Sequence, residues 1–353
     1  MKKKSSVKKS SLFKKVLIVF AILLLIGGLL TGYNYYRKIF QSNVAKYKDQ
    51  KEYLYIPTGA TFDDLLNIIK QQELLINTES FAFTAELMDY NQRVKPGKYK
   101  LKEGMNNRQL VGLLKSGMQE PVKLTFNGIR LQKEFTEILD EKLEFKAAEL
   151  NAILNDKDYL ATYNLTPKTA YTMFIPNTYE LYWNTDAETF FKKMNKEYEK
   201  FWNEERDKKA EELKMTRAEV TILASIVNQE TNKKDEMPTV AGVYLNRLFR
   251  DMKLEADPTV IFAVGDFTIK RVRGKMMSYD SPYNTYFYKG LPPGPITMPS
   301  TTAIDAVLNR QSHNYIFMCA KEDFSGYHNF AENFNQHLVN ARKFQRALDQ
   351  RGI

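Results

Sequence analysis

From Val16 to Tyr36 the chain runs 21 residues without a charged side chain, beginning VLIVFAILLLIGGLL. As a helix rising 1.5 Å per residue, that run spans about 31 Å, the thickness of a bilayer's hydrocarbon core. Arg37 and Lys38 close it, and Lys2, Lys3, Lys4, Lys8, Lys9, Lys14 and Lys15 precede it. The positive-inside rule therefore predicts a cytoplasmic basic tail over 1–15, a transmembrane helix over 16–36 and an outward-facing remainder. A cleaved signal peptide has similar flanks. Its apolar region is shorter, and no A-x-A-like site follows here, so the pattern reads as an uncleaved anchor.

Residues 37–50 are polar and predict a stalk. Two similar units follow. In the first, the apolar run Tyr53-Leu54-Tyr55-Ile56 precedes Gly59, and Thr61 caps a helix carrying Phe62, Leu65, Leu66 and Ile69. In the second, Tyr99-Lys100-Leu101 precedes Gly104, Asn106 caps a helix with Leu110, Val111, Leu113 and Leu114, and Gly117 supplies a left-handed stop. Neither unit buries its own apolar face. Together they predict a compact α+β module over 51–120, which resembles LysM-like glycan-binding modules.

Beyond Pro121 the pattern reads as a strand at Leu124-Thr125-Phe126, then helices, an aromatic stretch over 169–183 and a charged helix over 188–214. Thr216-x-x-Glu219 is a capping box. The helix it opens carries Val220, Leu223, Ile226 and Val227 on one stripe, and the next position on that stripe is Glu230. Burial and the helix C-terminal dipole both disfavour a carboxylate there, so the pattern predicts an acid that keeps its proton near neutral pH, as a general acid must. A frayed helix end would instead leave Glu230 solvated. Another helix begins between Asp235 and Pro238, with Val240, Val243, Tyr244, Leu248 and the polar pair Asn246-Arg247. Asp257-Pro258-Thr259 then reads as a turn before the run Val260-Ile261-Phe262-Ala263. Residues 279–299 hold five prolines and five aromatics, a stiff loop suited to stacking on sugar rings.

Composition narrows the chemistry. Lys+Arg number 52 against 42 Asp+Glu, but without the seven tail lysines the balance is 45 to 42, so the high pI gives no reason to expect nucleic acid. A lone cysteine, Cys319, excludes an internal disulfide framework and a Cys-rich zinc site. His328 and His337 lack metal-ligand spacing, and three histidines predict no metal centre. GxxxxGK[ST], GxSxG and HExxH motifs are all absent from the sequence.

The ordered segments Ala224-Ser225-Ile226-Val227-Asn228-Gln229-Glu230-Thr231, Val240 to Leu248 (VAGVYLNRL), Asp257-Pro258-Thr259-Val260, Tyr283-Asn284-Thr285-Tyr286 and Gly290-Leu291-Pro292-Pro293-Gly294 are similar to the endolytic murein transglycosylase family (MltG or YceG-like). Phe174 to Tyr179 (FIPNTY) and Pro96-Gly97-Lys98-Tyr99 resemble its upstream motifs. The resemblance implies an α+β chain of anchor, LysM-like module and larger YceG-like catalytic domain over 121–350. It implies a bacterial inner-membrane enzyme, with its catalytic domain on the periplasmic side, that needs no cofactor and cuts nascent peptidoglycan strands internally. It also implies association with peptidoglycan synthases. The family motif reads E-K-E-T with its second Glu catalytic, which places that role on Glu230; Asn228 and Gln229 depart from the pattern.

On that resemblance Glu230 protonates the MurNAc–GlcNAc glycosidic oxygen and, as a carboxylate, takes the proton of the C6 hydroxyl that attacks C1. The product end is 1,6-anhydroMurNAc. Asn246, Asp257, Tyr283, Asn284 and Tyr286 are candidates for holding glycan or stabilising charge, and each could equally be a structural hydrogen-bond partner. A hydrolase using Asp257 or Glu236 as second carboxylate stands as an alternative. So does a non-catalytic glycan-binding scaffold.

Overall fold

The structure, a computed structural model, describes residues 6–45 and 52–352. Lys2, Lys3 and Lys4 of the expected tail and residues 46–50 of the expected stalk lie outside the described residues. Two compact units divide the chain, one of residues 1–122 with 182–184 and one of the remainder.

In the first unit, helix α1 (Ser6–Phe40) contains the apolar run, and its stretch Leu12–Phe40 is long and apolar enough to cross a membrane. Strand β1 (Tyr53–Ile56) pairs antiparallel with β2 (Gly97–Lys100), Tyr53 opposite Lys100 and Ile56 opposite Gly97. Between them lie α2 (Phe62–Gln71) and α3 (Thr78–Leu87), and α4 (Asn107–Ser116) follows. The expected caps form: Thr61 with Asp64 and Asn106 with Gln109 are reciprocal capping boxes, and Gly117 ends α4 at φ 74°. Leu54, Ile56, Leu65, Ile69, Phe81, Tyr99, Leu110 and Leu114 make the core.

The expected stalk differs over 37–45. Helix α1 runs on to Phe40, and Asn43 and Val44 are buried. The Asn107 amide donates to the Lys38 carbonyl at 2.7 Å, and that of Asn43 donates to the Asn107 side-chain oxygen at 2.6 Å. A polar segment packs here because paired asparagines satisfy the buried backbone.

Strand β3 (Val122–Phe126), from its second residue onward the start of the second unit, pairs with β4 (Asn177–Leu181). Between them lie α5 (Gln132–Lys142), α6 (Ala147–Asn155) and α7 (Lys157–Ala161). The charged segment is two helices, not one: α8 (Ala187–Phe201) stops at Trp202, and Asn203 caps α9 (Glu204–Glu212). An asparagine accepting from the Arg206 N–H competes with helix continuation, which amphipathic period alone does not register.

Helix α10 (Arg217–Glu230) is the centre of this unit, packed against α11 (Met237–Phe249), α12 (Asp257–Val264) and α13 (Thr301–Leu308). Every residue from Val220 to Val227 is buried, so the single predicted stripe is in fact a helix enclosed on all sides. Its two hydroxyls there bond back to the helix, Thr221 to the Arg217 carbonyl and Ser225 to that of Ile222. The run after Asp257-Pro258 is helical, α12, because Pro258 sits in a first turn where its missing N–H costs nothing. An antiparallel hairpin of β5 (Phe317–Ala320) and β6 (His328–Ala331) and the long α14 (Phe334–Gln350) complete the unit.

Candidate active site

Glu230 is the last residue of α10, and the helix is not frayed there: Thr231 continues as its cap, with its N–H on the Val227 carbonyl. The capping box at Thr216 sets where the helix starts, with Thr216 N–H on the Glu219 carboxylate at 2.7 Å. Fourteen helical residues then carry Glu230 to the wall of a cleft of about 400 Å³. Helix α11 contributes Tyr244 and Arg247, three apart and so on one face. Asp257 comes from the first residue of α12, where the helix dipole favours a carboxylate. Tyr286 enters from the Pro-rich loop, Cys319 and His328 from the β5–β6 hairpin, and His337 from α14.

The Tyr244 hydroxyl donates to Glu230 Oε1 at 2.5 Å. Burial pushes the Glu230 carboxyl up to about 7; the Tyr244 hydrogen bond and the charge of His328 oppose the rise, and Asp257 adds to it. Burial, with Glu230 beside it, holds the Tyr244 phenol well above its ordinary value, so it stays a donor. Across the cleft Tyr286 donates to Asp257 Oδ1 at 2.7 Å. Arg247 is 6% exposed and braces the wall, donating to the Ile316, Lys253 and Leu254 carbonyls and to Glu255 at 2.9 Å. Glu255 lies at φ 53°, a left-handed backbone held by that pairing and by its N–H on the Thr285 carbonyl. Glu236 is buried beside β6, with Oε1 accepting the His328 backbone N–H at 2.6 Å and Oε2 facing His328 Nδ1 at 2.9 Å.

The model of the YceG-like family matches residues 54–343. The chain belongs to that family. An endolytic murein transglycosylase of Bacillus subtilis is 26% identical over 287 residues, 76% of this chain and 78% of that protein. That of Streptococcus pneumoniae is 27% identical over 344 residues, 86% of this chain but 60% of the pneumococcal protein's length. The crystal structure of a yceG-like protein from Listeria monocytogenes is 26% identical, with a TM-score of 0.52 over 82% of this chain and 99% of that one.

Of the residues that sequence singled out, Glu230, Asp257 and Tyr286 line one cleft of this YceG-like chain. Three others serve the scaffold around it. The Asn246 amide donates to the His313 and Tyr315 carbonyls at 2.7 and 2.9 Å. Asn284 is fully buried; its amide donates to the Tyr279 carbonyl and its oxygen accepts the Tyr286 N–H, which shapes the loop that carries Tyr286. Tyr283 packs its ring on Phe262, centroids 4.8 Å apart. The two departures from the family motif are likewise occupied. Asn228 accepts from the Ser300 N–H and hydroxyl, at the cap of α13, and Gln229 accepts from Arg130.

Sequence reasoning gave no site role to Tyr244, Arg247 or His328. The first two share one helical face, from which Tyr244 reaches Glu230, a signal available once the two helices are taken as neighbours. No spacing links His328 to Glu236, 92 residues away. Among the described residues no group of three or more His, Cys, Asp or Glu side chains is placed to hold a metal ion.

Proposed function

We propose that this protein is a membrane-anchored lytic transglycosylase that cuts peptidoglycan glycan strands internally. The observation that carries the proposal is Glu230: a carboxyl pushed up to about 7, at a cleft wall, keeping the proton that an acid catalyst must deliver. It protonates the glycosidic oxygen between MurNAc and GlcNAc. As the C1–O bond breaks, positive charge grows at MurNAc C1, and the Asp257 carboxylate, oriented by Tyr286, stabilises it electrostatically. The sugar's own C6 hydroxyl attacks C1 and loses its proton to the Glu230 carboxylate, leaving a 1,6-anhydroMurNAc end without consuming water.

Supporting the membrane assignment is α1, whose large apolar side chains from Leu12 to Leu30 are exposed. The lysine-rich tail lies on the cytoplasmic side of the cytoplasmic membrane and the catalytic unit outside it. Nascent strands and the synthases that extrude them are then the neighbours, and internal cutting limits strand length.

The test is mass spectrometry of fragments made from uncrosslinked peptidoglycan by the full-length protein in lipid vesicles, beside Glu230→Gln. Fragments ending in 1,6-anhydroMurNAc, lost in the variant, are expected. Reducing ends instead make the protein a hydrolase with Asp257 as second carboxylate, and intact strands make it a glycan-binding scaffold.

A further inference from the structure

The residue next to Glu230 in α10, Gln229, is held by an arginine that the proton chemistry leaves unused. Arg130 follows β3 on a loop whose backbone is pinned. The Ile129 carbonyl accepts the Met298 N–H at 2.8 Å and the Tyr171 and Thr297 hydroxyls, both at 3.3 Å. Arg130 itself is half-buried. Its guanidinium donates to Gln229 Oε1 at 2.9 Å and lies over the Phe267 ring, 4.9 Å from the centroid. An amide and a ring fix the plane of the guanidinium and leave its charge unpaired. Among the described residues Arg130 forms no ion pair, and its other side-chain N–H groups have no partner. A fixed planar fork with open donors matches a carboxylate through two parallel hydrogen bonds.

Positive charge continues beyond Phe267. The sequence after it, TIKRVRGKMMSY, places Lys270, Arg271, Arg273 and Lys275 within six residues, with no acid between Asp266 and Asp280. All four are exposed, and among the described residues none is paired with a carboxylate. The flanking acids are engaged elsewhere: Asp266 accepts from Thr268 and Asp280 from Tyr288. Both ends of the segment are tied to elements of the cleft. It leaves α12, whose first residue is Asp257, and its Met277 and Tyr279 carbonyls accept from the amide of Asn284, in the turn that carries Tyr286.

We propose that Arg130, with the basic segment 270–275 that follows Phe267, is a carboxylate subsite for the peptide stem of the MurNAc residue being cut. The inference rests on the transglycosylase reading above. On that reading the scissile bond leaves from MurNAc C1, and the lactyl ether that bears the peptide stands on C3 of the same ring. The stem therefore begins within a sugar's breadth of Glu230, whose neighbour Arg130 holds. An uncrosslinked stem carries free carboxylates, whereas the glycan to which it is amide-linked offers hydroxyls and acetamides. A membrane surface would attract the four exposed cations, yet it gives no use to a half-buried guanidinium set at a fixed angle beside the acid.

The test uses the full-length protein in lipid vesicles on two substrates: uncrosslinked strands with free stem carboxylates, and the same strands with those carboxylates capped as methyl amides. The readout is kcat/KM for release of 1,6-anhydro ends. The parent should prefer the free stems by about tenfold or more, the scale of a hydrogen bond to a charged group. Arg130→Ala should lower that preference by about tenfold or more. Replacing Lys270, Arg271, Arg273 and Lys275 together by Gln, all at exposed positions, should lower it by about threefold or more. The preference should also shrink at 1 M salt, where the Debye length is about 3 Å. An Arg130→Ala loss of equal size on both substrates would mean that Arg130 acts on the sugar or on Glu230, and overturns the subsite. A loss in the fourfold variant that is equal on both substrates and vanishes in purely zwitterionic vesicles assigns the cations to the membrane, and overturns it as well. A parent that makes no anhydro ends from either substrate overturns the transglycosylase reading itself; one that makes them equally well from both overturns only the subsite.

Discussion

Glu230 stands where a helix C-terminal dipole and a desolvated wall both oppose its charge, and its proton affinity records that conflict. The consequence reaches stability. An unfolded-chain glutamate ionises near pH ~4.3, whereas the native group ionises at about 7, so between those values the native state binds one more proton. Stability is undiminished below the lower value and falls as pH rises through the upper one. Glu230→Gln, which removes the ionisation and can still accept from Tyr244, should leave stability nearly unchanged at pH 4. At pH 8 it should raise stability by up to about 3 kcal/mol, as read by denaturant titration. A gain equal at both pH values would mean that Glu230 is solvated. Tyr244→Phe acts on the same group from the other side. It removes a hydrogen bond that favours the carboxylate, so the alkaline limb of the kcat/KM profile should move to higher pH.

At the scale of elements, much of what positions Glu230 was legible locally. The Thr216–Glu219 capping box forms with both reciprocal hydrogen bonds, and Thr216→Ala should cost about 1 kcal/mol, measured as a shift of the urea midpoint at constant slope. The caps at Thr61 and Asn106 and the glycine stop at Gly117 were equally readable, because capping is chemistry between residues three or four apart. Short apolar runs were not. Val260-Ile261-Phe262-Ala263 fits a strand or a helix by pattern; Pro258 in the first turn and packing against α10 go with α12. The charged stretch 188–214 read as one helix because its charge continues past Trp202, although Asn203 divides it.

Over the whole molecule, the exposed apolar face of α1 and the buried asparagines at its end set two different demands. Leu17, Leu23, Leu25 and Leu30 are each half exposed or more, a surface that needs a hydrophobic medium. The full chain should sediment with membranes and resist high-salt and carbonate washes, while a version lacking residues 1–36 should not; a soluble full chain would refute the anchor. At the other end of the helix, Asn107→Ala strips donors from the Lys38 carbonyl and the acceptor from Asn43, leaving buried polar groups unpaired. That should cost about 1–3 kcal/mol in the denaturation of the first unit.

Read alone, the chain of residues determined the long apolar N-terminal helix, the caps, the carboxylate at the end of the apolar stripe and the ordered motifs of the family, since each depends on neighbours within a turn or on residue type. What only the tertiary structure decided is which distant groups meet. Glu230 and Tyr244 are close because α10 and α11 pack; Glu236 meets His328 across 92 residues because the β5–β6 hairpin lies beside the start of α11. Asn246 and Asn284, polar and inside family motifs, read from sequence as glycan contacts or structural partners alike; the fold turns both amides to backbone carbonyls, because an amide enclosed by packing is satisfied by whichever partner the fold brings to it. The physical reason is general to such sites: proton affinity and hydrogen-bond partnership are properties of surroundings, and the surroundings of a side chain are assembled by packing rather than written along the chain.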